Sequence, residues 1–343
     1  MRKLLAVAGI LAIALTGCRG TSPDDAGSGA APATVKIMVG GIDKVIYLPA
    51  KLTEQLGGFR AEGLDVQLLT EPSGATAENV LIAGDVQGVV GFYDHTVDLQ
   101  SKGKCITSVV QMADVPGEVE IVAAAQAASL RGPADFRGRK LGVTSPGSST
   151  DFLTQYLATK AGLTGADYTT VKAGAGQTFI AALDNGGIDA GMTTDPTAAK
   201  LVSTGKGKVL LDMRTEAGTE AALGGLYPAS SLYMDCAWVQ DHRDQVQKLA
   251  NALVKTLRWI KGHSAAEIAA KMPREYAAGD PQLYAQAVHD SIGMFNGDGL
   301  MKPDGARNVL DVLSQFSPNV KGKKDQIDLA KTYTTAFVAK VPA

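Results

Sequence analysis

The sequence predicts an α/β fold of two similar lobes joined by two extended segments. From Val35 onward, short apolar runs alternate with helical stretches. That alternation is the pattern of a mostly parallel sheet with helices on its faces. The same order of elements recurs about one hundred residues later. At an offset of 102, Gly74 falls on Gly176, Thr76 on Thr178, Leu81 on Leu183, Gly84 on Gly186 and Leu99 on Leu201. Two runs without a helical period, Glu118 to Ala125 and Ser231 to Val239, lie between and after the copies. They predict a chain that leaves lobe 1, builds lobe 2 and returns. Lobe 1 is expected over 35–122 and 233–343, and lobe 2 over 123–232.

The first residues read differently. Arg2 and Lys3 precede an apolar stretch from Leu4 to Leu15, which ends in Leu15-Thr16-Gly17-Cys18. A basic start, a short apolar run and small residues make a secretory signal peptide over residues 1–17. The run is shorter than the ~20 residues a membrane span needs. The four-residue ending resembles the bacterial lipobox, whose cysteine carries lipid. Cys18 is therefore the expected lipidation site, with several acyl chains holding the chain to a membrane surface. Residues 18–34 are small, polar and rich in Pro and Gly. They are expected to form a flexible tether. Without residues 1–17, 326 of the 343 residues remain. That length exceeds the ~250–300 residues one core usually serves, consistent with two lobes.

The elements follow in order. Val35 to Val39 is a strand, Tyr47 to Leu56 a helix stopped at Gly57-Gly58, and Asp65 to Leu69 a strand. A helix starts near Thr76 and runs to Ala83, and Val86 to Phe92 is a strand. In the second copy the strands are Lys140 to Val143, Thr170 to Lys172 and Ile188 to Met192. Its helices are Thr150 to Ala161 and Phe179 to Leu183. The remainder is mostly helical. Val246, Leu249, Leu253, Leu257 and Ile260 recur at helical spacing. Further helices are expected over Pro281 to Phe295 and Ala306 to Phe316.

Composition excludes several function classes. A net charge of -2 and no basic stripe argue against a nucleic-acid partner. The histidines, His95, His242, His263 and His289, have no HExxH spacing, and no metal site is expected. No cofactor is expected either. Gly174-Ala175-Gly176 is followed by Phe179 where a dinucleotide motif needs glycine, and no phosphate-loop motif occurs. Ser148-Ser149 lacks the G-x-S-x-G frame of a hydrolase. Cys105 and Cys236 are too far apart for a CxxC motif. In an oxidising compartment they form either a disulfide or two buried thiols.

What remains is a set of small polar turns after the strands, where α/β sheets bind ligands. In lobe 1 these are Gly40-Gly41-Ile42-Asp43, Ser73-Gly74-Ala75-Thr76 and Phe92-Tyr93-Asp94-His95. In lobe 2 they are Ser148-Ser149-Thr150, Gly174 to Gln177, and Thr193-Thr194-Asp195-Pro196. Helix starts present free N–H groups to an anion, although Ser, Thr and Asp at such places also serve as plain N-caps. Asp43, Asp94 and Asp195 orient a ligand or cap a helix, and His95 donates to a ligand or caps. The candidate ligand residues are Gly40, Gly41, Asp43, Tyr47, Ser73, Gly74, Thr76, Tyr93, Asp94, His95, Ser148, Ser149, Thr150, Gln177, Thr194 and Asp195.

These stretches together resemble the solute-binding proteins of ABC importers. The nearest group is the nitrate/sulfonate/taurine and thiamine-precursor type. The matching segments include Gly84-Asp85-Val86-Gln87-Gly88-Val89, Leu141 to Asp151, Ala173 to Leu183 and Gly187-Ile188-Asp189-Ala190. The resemblance covers nearly all of 35–340. It implies the type II periplasmic-binding-protein fold, with two hinge strands and a ligand cleft between the lobes. It also implies a monomeric, non-enzymatic receptor on the outer face of the cell membrane. Such a receptor delivers a small anion, or a pyrimidine-like heterocycle, to a permease driven by a cytoplasmic ATPase; an envelope sensor can use the same fold. Where many relatives carry Trp-Glu-Pro, this chain has Thr194-Asp195-Pro196.

Overall fold

The structure, a computed structural model, describes residues 34–342. The expected signal peptide, the lipidation site Cys18 and the tether up to residue 33 lie outside the described residues. Ten strands form two five-stranded sheets. The first holds β1 (Val35–Val39), β2 (Val66–Thr70), β3 (Gly88–Phe92), β4 (Ile106–Gln111) and β10 (Ser230–Asp235), in the order β2-β1-β3-β10-β4. The second holds β5 (Glu118–Ala123), β6 (Lys140–Val143), β7 (Thr169–Lys172), β8 (Ala190–Thr194) and β9 (Gly207–Asp212), in the order β7-β6-β8-β5-β9.

The two sheets share one topology. In each, the first three strands are parallel, and the inserted strand, β10 or β5, runs antiparallel to both neighbours. β8 begins 102 residues after β3, matching the offset of the sequence repeat. The extended runs expected to connect the lobes are strands, but each is embedded in one sheet. The crossing falls earlier, over 112–117 and again over 213–229. The expected boundaries at 122/123 and 232/233 therefore cut through β5 and β10 and move toward the amino terminus. The second run also ends early, at Asp235. Its carboxylate accepts from the N–H groups of Ala237 and Trp238 and starts the helix Cys236–Asp241.

Local chemistry explains the helix limits. Ser73 accepts from Thr76 N and caps the helix Gly74–Ala83, which stops at Gly84 with φ +84°. Glycine takes that left-handed conformation without the Cβ clash other residues meet. Ser264 and Glu267 form a reciprocal capping box at Ala265–Lys271. The helix Arg243–Lys261 buries the expected stripe of Val246, Leu249, Leu253, Leu257 and Ile260, and packs on the first lobe. The helix Pro303–Phe316 touches Asp94–Ser101 in one lobe and Ser149–Lys160 in the other. Cys105 and Cys236 are bonded, joining the end strand β4 to the return of the chain. No helix among the described residues is long and apolar enough to cross a membrane.

Candidate functional site

The carboxyl ends of β1, β3, β6 and β8 and the first residues of β5 converge between the sheets. A small cavity of about 20 Å³ lies there. Lys44, Ile46, Tyr47, Gly74, Phe92, Glu118, Thr144, Ser148, Ser149, Thr150 and Thr194 line it. The two lobes touch directly around it. Ser145 Oγ donates to Ser73 Oγ at 2.9 Å, and Ser149 Oγ donates to Asp94 Oδ1 at 3.0 Å. Tyr227 OH donates to the other oxygen of Asp94 at 2.9 Å.

Six expected residues therefore face this cavity: Tyr47, Gly74, Ser148, Ser149, Thr150 and Thr194. Gly40 and Gly41 support it from behind, since Lys44 Nζ donates to Gly40 O at 2.7 Å and to Pro72 O at 3.0 Å. Ser73 and Thr76 hold the start of the helix at Gly74, with Thr76 Oγ1 donating back to Ser73 O. Ser148 precedes the helix Ser149–Lys160, and its hydroxyl donates to Ser145 O at 2.7 Å.

The packing places other expected residues away from this cavity. Tyr93 does not line the cavity. Phe92 does, and the next side chain turns away, so the Tyr93 hydroxyl meets Thr332 Oγ1 at 2.5 Å and its ring meets Tyr333. Asp195 is also committed elsewhere. Its Oδ1 accepts from Ala199 N, and its Oδ2 accepts from Arg214 Nη1 at 3.0 Å and Ser291 Oγ at 2.7 Å. Asp43 and Gln177 line a separate cavity of about 180 Å³, beside Tyr276 and Tyr284. His95 is fully buried, with Nδ1 3.0 Å from Glu78 Oε2. Its Nε2 lies where a Cβ on Gly74 would sit, at 2.5 Å, so that position admits no side chain without rearrangement.

Electrostatics single out two groups the sequence reading passed over as ligand residues. Lys44 is buried, and burial lowers its pKa to about 8, against the pull of Asp43 and Glu118. Glu118 is 1% exposed, and its Oε2 has no hydrogen-bond partner among the described residues. Burial, reinforced by Asp94, pushes its carboxyl well above the usual range, while Lys44 opposes the shift. Burial also raises Asp94, opposed by His95 and by the Tyr227 and Ser149 hydrogen bonds. Burial would lower His95, but Glu78 and Asp94 outweigh it and bring the ring to about 9. The signal for Glu118 was present in the sequence. It is a charged residue opening an otherwise apolar strand, and Glu120 repeats it on the same face. No group of acidic, histidine or cysteine side chains among the described residues is arranged to hold a metal ion.

Comparison with known proteins places this geometry. The NMT1/THI5-like family profile matches residues 48–266. No curated protein matches the sequence. A Bordetella bronchiseptica RB50 protein of known structure is 34% identical, with a TM-score of 0.86, over 90% of this chain and 97% of that one. The alkanesulfonate-binding protein of Xanthomonas axonopodis pv. citri, bound to MOPS, is 17% identical with a TM-score of 0.72, over 90% and 100% of the chains. The periplasmic nitrate-binding protein of Synechocystis PCC 6803 is 14% identical with a TM-score of 0.64, over 86% of each. The chain belongs to the NMT1/THI5-like family and carries the fold of the periplasmic sulfonate- and nitrate-binding proteins.

Proposed function

We propose that this protein is the extracytoplasmic solute-binding component of an ABC importer. It captures a small solute between its lobes and presents the closed form to the permease, whose cytoplasmic ATPase drives transport. The observation that carries this reading is the small cavity at the junction of the lobes, beside the Ser149–Asp94 and Ser145–Ser73 hydrogen bonds that join them. About 20 Å³ admits little more than one water. A solute of several heavy atoms enters only if the lobes part, which is the hinge motion of such receptors. Closure responds to ligand only because the closed form binds it better. The protein acts as a monomer and performs no chemistry on its cargo. Two ligand classes follow from the family resemblance, a small anion and a pyrimidine-like heterocycle.

Small-angle scattering tests the motion. Saturating ligand should shrink the radius of gyration, and a tight ligand that leaves it unchanged overturns the hinge reading. Cys18 is the lipid anchor in this reading, holding the receptor on the outer face of the cell membrane. Cys18→Ser should move the protein from the membrane fraction to the soluble fraction, and unchanged membrane association overturns the anchor.

A further inference from the structure

The outer cavity of about 180 Å³ shares no lining residue with the inner one. Both lobes build it. Ile180 and Lys200 come from helices of the second lobe, and Asp43 and Tyr284 from the first. Asp43 and Lys44 are consecutive, yet they part here. Lys44 reaches back to Gly40 O and Pro72 O beside the inner cavity, while Asp43 lines the outer one. The outer wall is uneven in charge, since Asp43, Glu275 and Asp280 set three carboxylates against the one ammonium of Lys200. Asp280 also caps the helix Pro281–Ser291 by accepting from Leu283 N. Asp43 and Glu275 are exposed, where water solvates the charge of a carboxylate. Tyr284 is a separate observation. It is 4% exposed, yet its hydroxyl makes no hydrogen bond among the described residues, where a buried polar group normally has a partner. Burial raises its pKa, and Tyr276 and Asp43 raise it further. Both of those neighbours line this cavity, which places the unpartnered hydroxyl there.

We propose that this outer cavity is a second binding site, and that it takes a small organic ammonium ion with an apolar body. The excess of carboxylates favours a cation and disfavours an anion. The rings of Tyr276 and Tyr284 attract a cation as well. The Tyr284 oxygen accepts from an ammonium N–H, which gives the buried hydroxyl its missing partner. Ile180 and Leu283 offer an apolar surface to the rest of the molecule. Size sets the limit. A cavity of about 150 Å³ holds one benzene ring, so about 180 Å³ takes one ring with a short ammonium arm. Neither ligand class implied for the inner cleft has this chemistry, so the inference goes beyond the solute-binding reading and does not depend on it.

Three probes of one shape and different charge test the assignment by thermal shift and titration calorimetry on the full chain. Benzylamine is a cation at neutral pH, benzyl alcohol is neutral and benzoate is an anion. Benzylamine is expected to raise Tm and to bind more tightly than benzyl alcohol, and benzoate is expected not to bind. Tyr284→Phe removes one hydrogen bond and should weaken benzylamine about threefold or more. Asp43→Asn removes an exposed charge and should weaken it about two- to fivefold, with a smaller effect at high salt. Circular dichroism checks the fold of each variant; Asp43 is exposed, so Asp43→Asn carries the test if Tyr284→Phe fails to fold. Benzoate binding as tightly as benzylamine overturns the ligand class. Benzylamine binding that neither variant weakens overturns the site, and so does failure of benzylamine to bind the folded wild type. Each of these outcomes leaves the transport reading intact, because scattering tests that reading with a different ligand.

Discussion

Asp195 is the residue whose removal separates a closing contact from a ligand contact. It is 1% exposed. Its side chain accepts from Ala199 N, Arg214 Nη1 and Ser291 Oγ, and its backbone oxygen accepts from Val45 N at 2.9 Å. Those donors come from the second lobe, the return crossing, the helix Pro281–Ser291 and the first lobe. Asp195→Ala deletes the three side-chain bonds. A neutral hydrogen bond contributes about 1 kcal/mol, and one to a charged group about 1.5–3 kcal/mol. Breaking a buried ion pair can cost about 3–5 kcal/mol when it strands a charge. Arg214 is not stranded, because its Nε and Nη2 keep Asp212 at 3.0 and 2.6 Å. Neighbouring losses are also not additive. The expected destabilisation is therefore about 3 kcal/mol, at the lower end of the pair estimate. For a chain of this size that corresponds to a Tm lower by roughly 4–5 °C. Asp195→Asn keeps an acceptor for Ala199 N and should lose less. Calorimetric unfolding gives Tm, and stopped-flow ligand release should quicken because the closed form is weakened. A variant with wild-type Tm but abolished binding would refute the reasoning and return Asp195 to the ligand.

Two further tests address the interior. Glu120 is fully buried, neither oxygen has a partner among the described residues, and burial raises its pKa to about 8. A carboxyl raised on folding gives stability that is whole below its unfolded pKa near 4.5 and falls as pH climbs to about 8. Glu120→Leu should therefore raise Tm by several degrees at pH 8 and change it little at pH 4.5, read by scanning calorimetry. An equal effect at both pH values rules out the ionisation account. His95 acts in the same direction, losing stability from about 6.5 to about 9, so alkaline instability persists in the variant. The Cys105–Cys236 bridge joins residues 131 apart, and a loop of that size confers up to about 5 kcal/mol in the chain-entropy account. Cys236→Ser should lower the urea midpoint to that of the reduced wild type; an unchanged midpoint excludes a stabilising bridge.

The sequence by itself determined the class of fold, because period, order and repetition are local properties. Strand and helix periods show in any short window, and the 102-residue offset survives as the spacing of β3 and β8. The hydroxyl loops were legible for the same reason, since Ser and Thr are favoured at helix starts whatever lies opposite. Tertiary structure alone decided which side chains meet. Tyr93 and Phe92 are adjacent and both aromatic, yet Phe92 ends the strand facing the cavity while Tyr93, already helical in its backbone, turns to Thr332. Asp94 and Asp195 follow corresponding strands, yet Asp94 bonds Ser149 beside the cavity, whereas Arg214 and Ser291, distant in sequence, occupy Asp195. Glu118 looked like part of a connecting strand. Its place at the cavity depends on sheet register against Thr194 and on Lys44 arriving from the other lobe. Partner, burial and charge environment are long-range quantities, set by the packing of two lobes. No local window of sequence contains them.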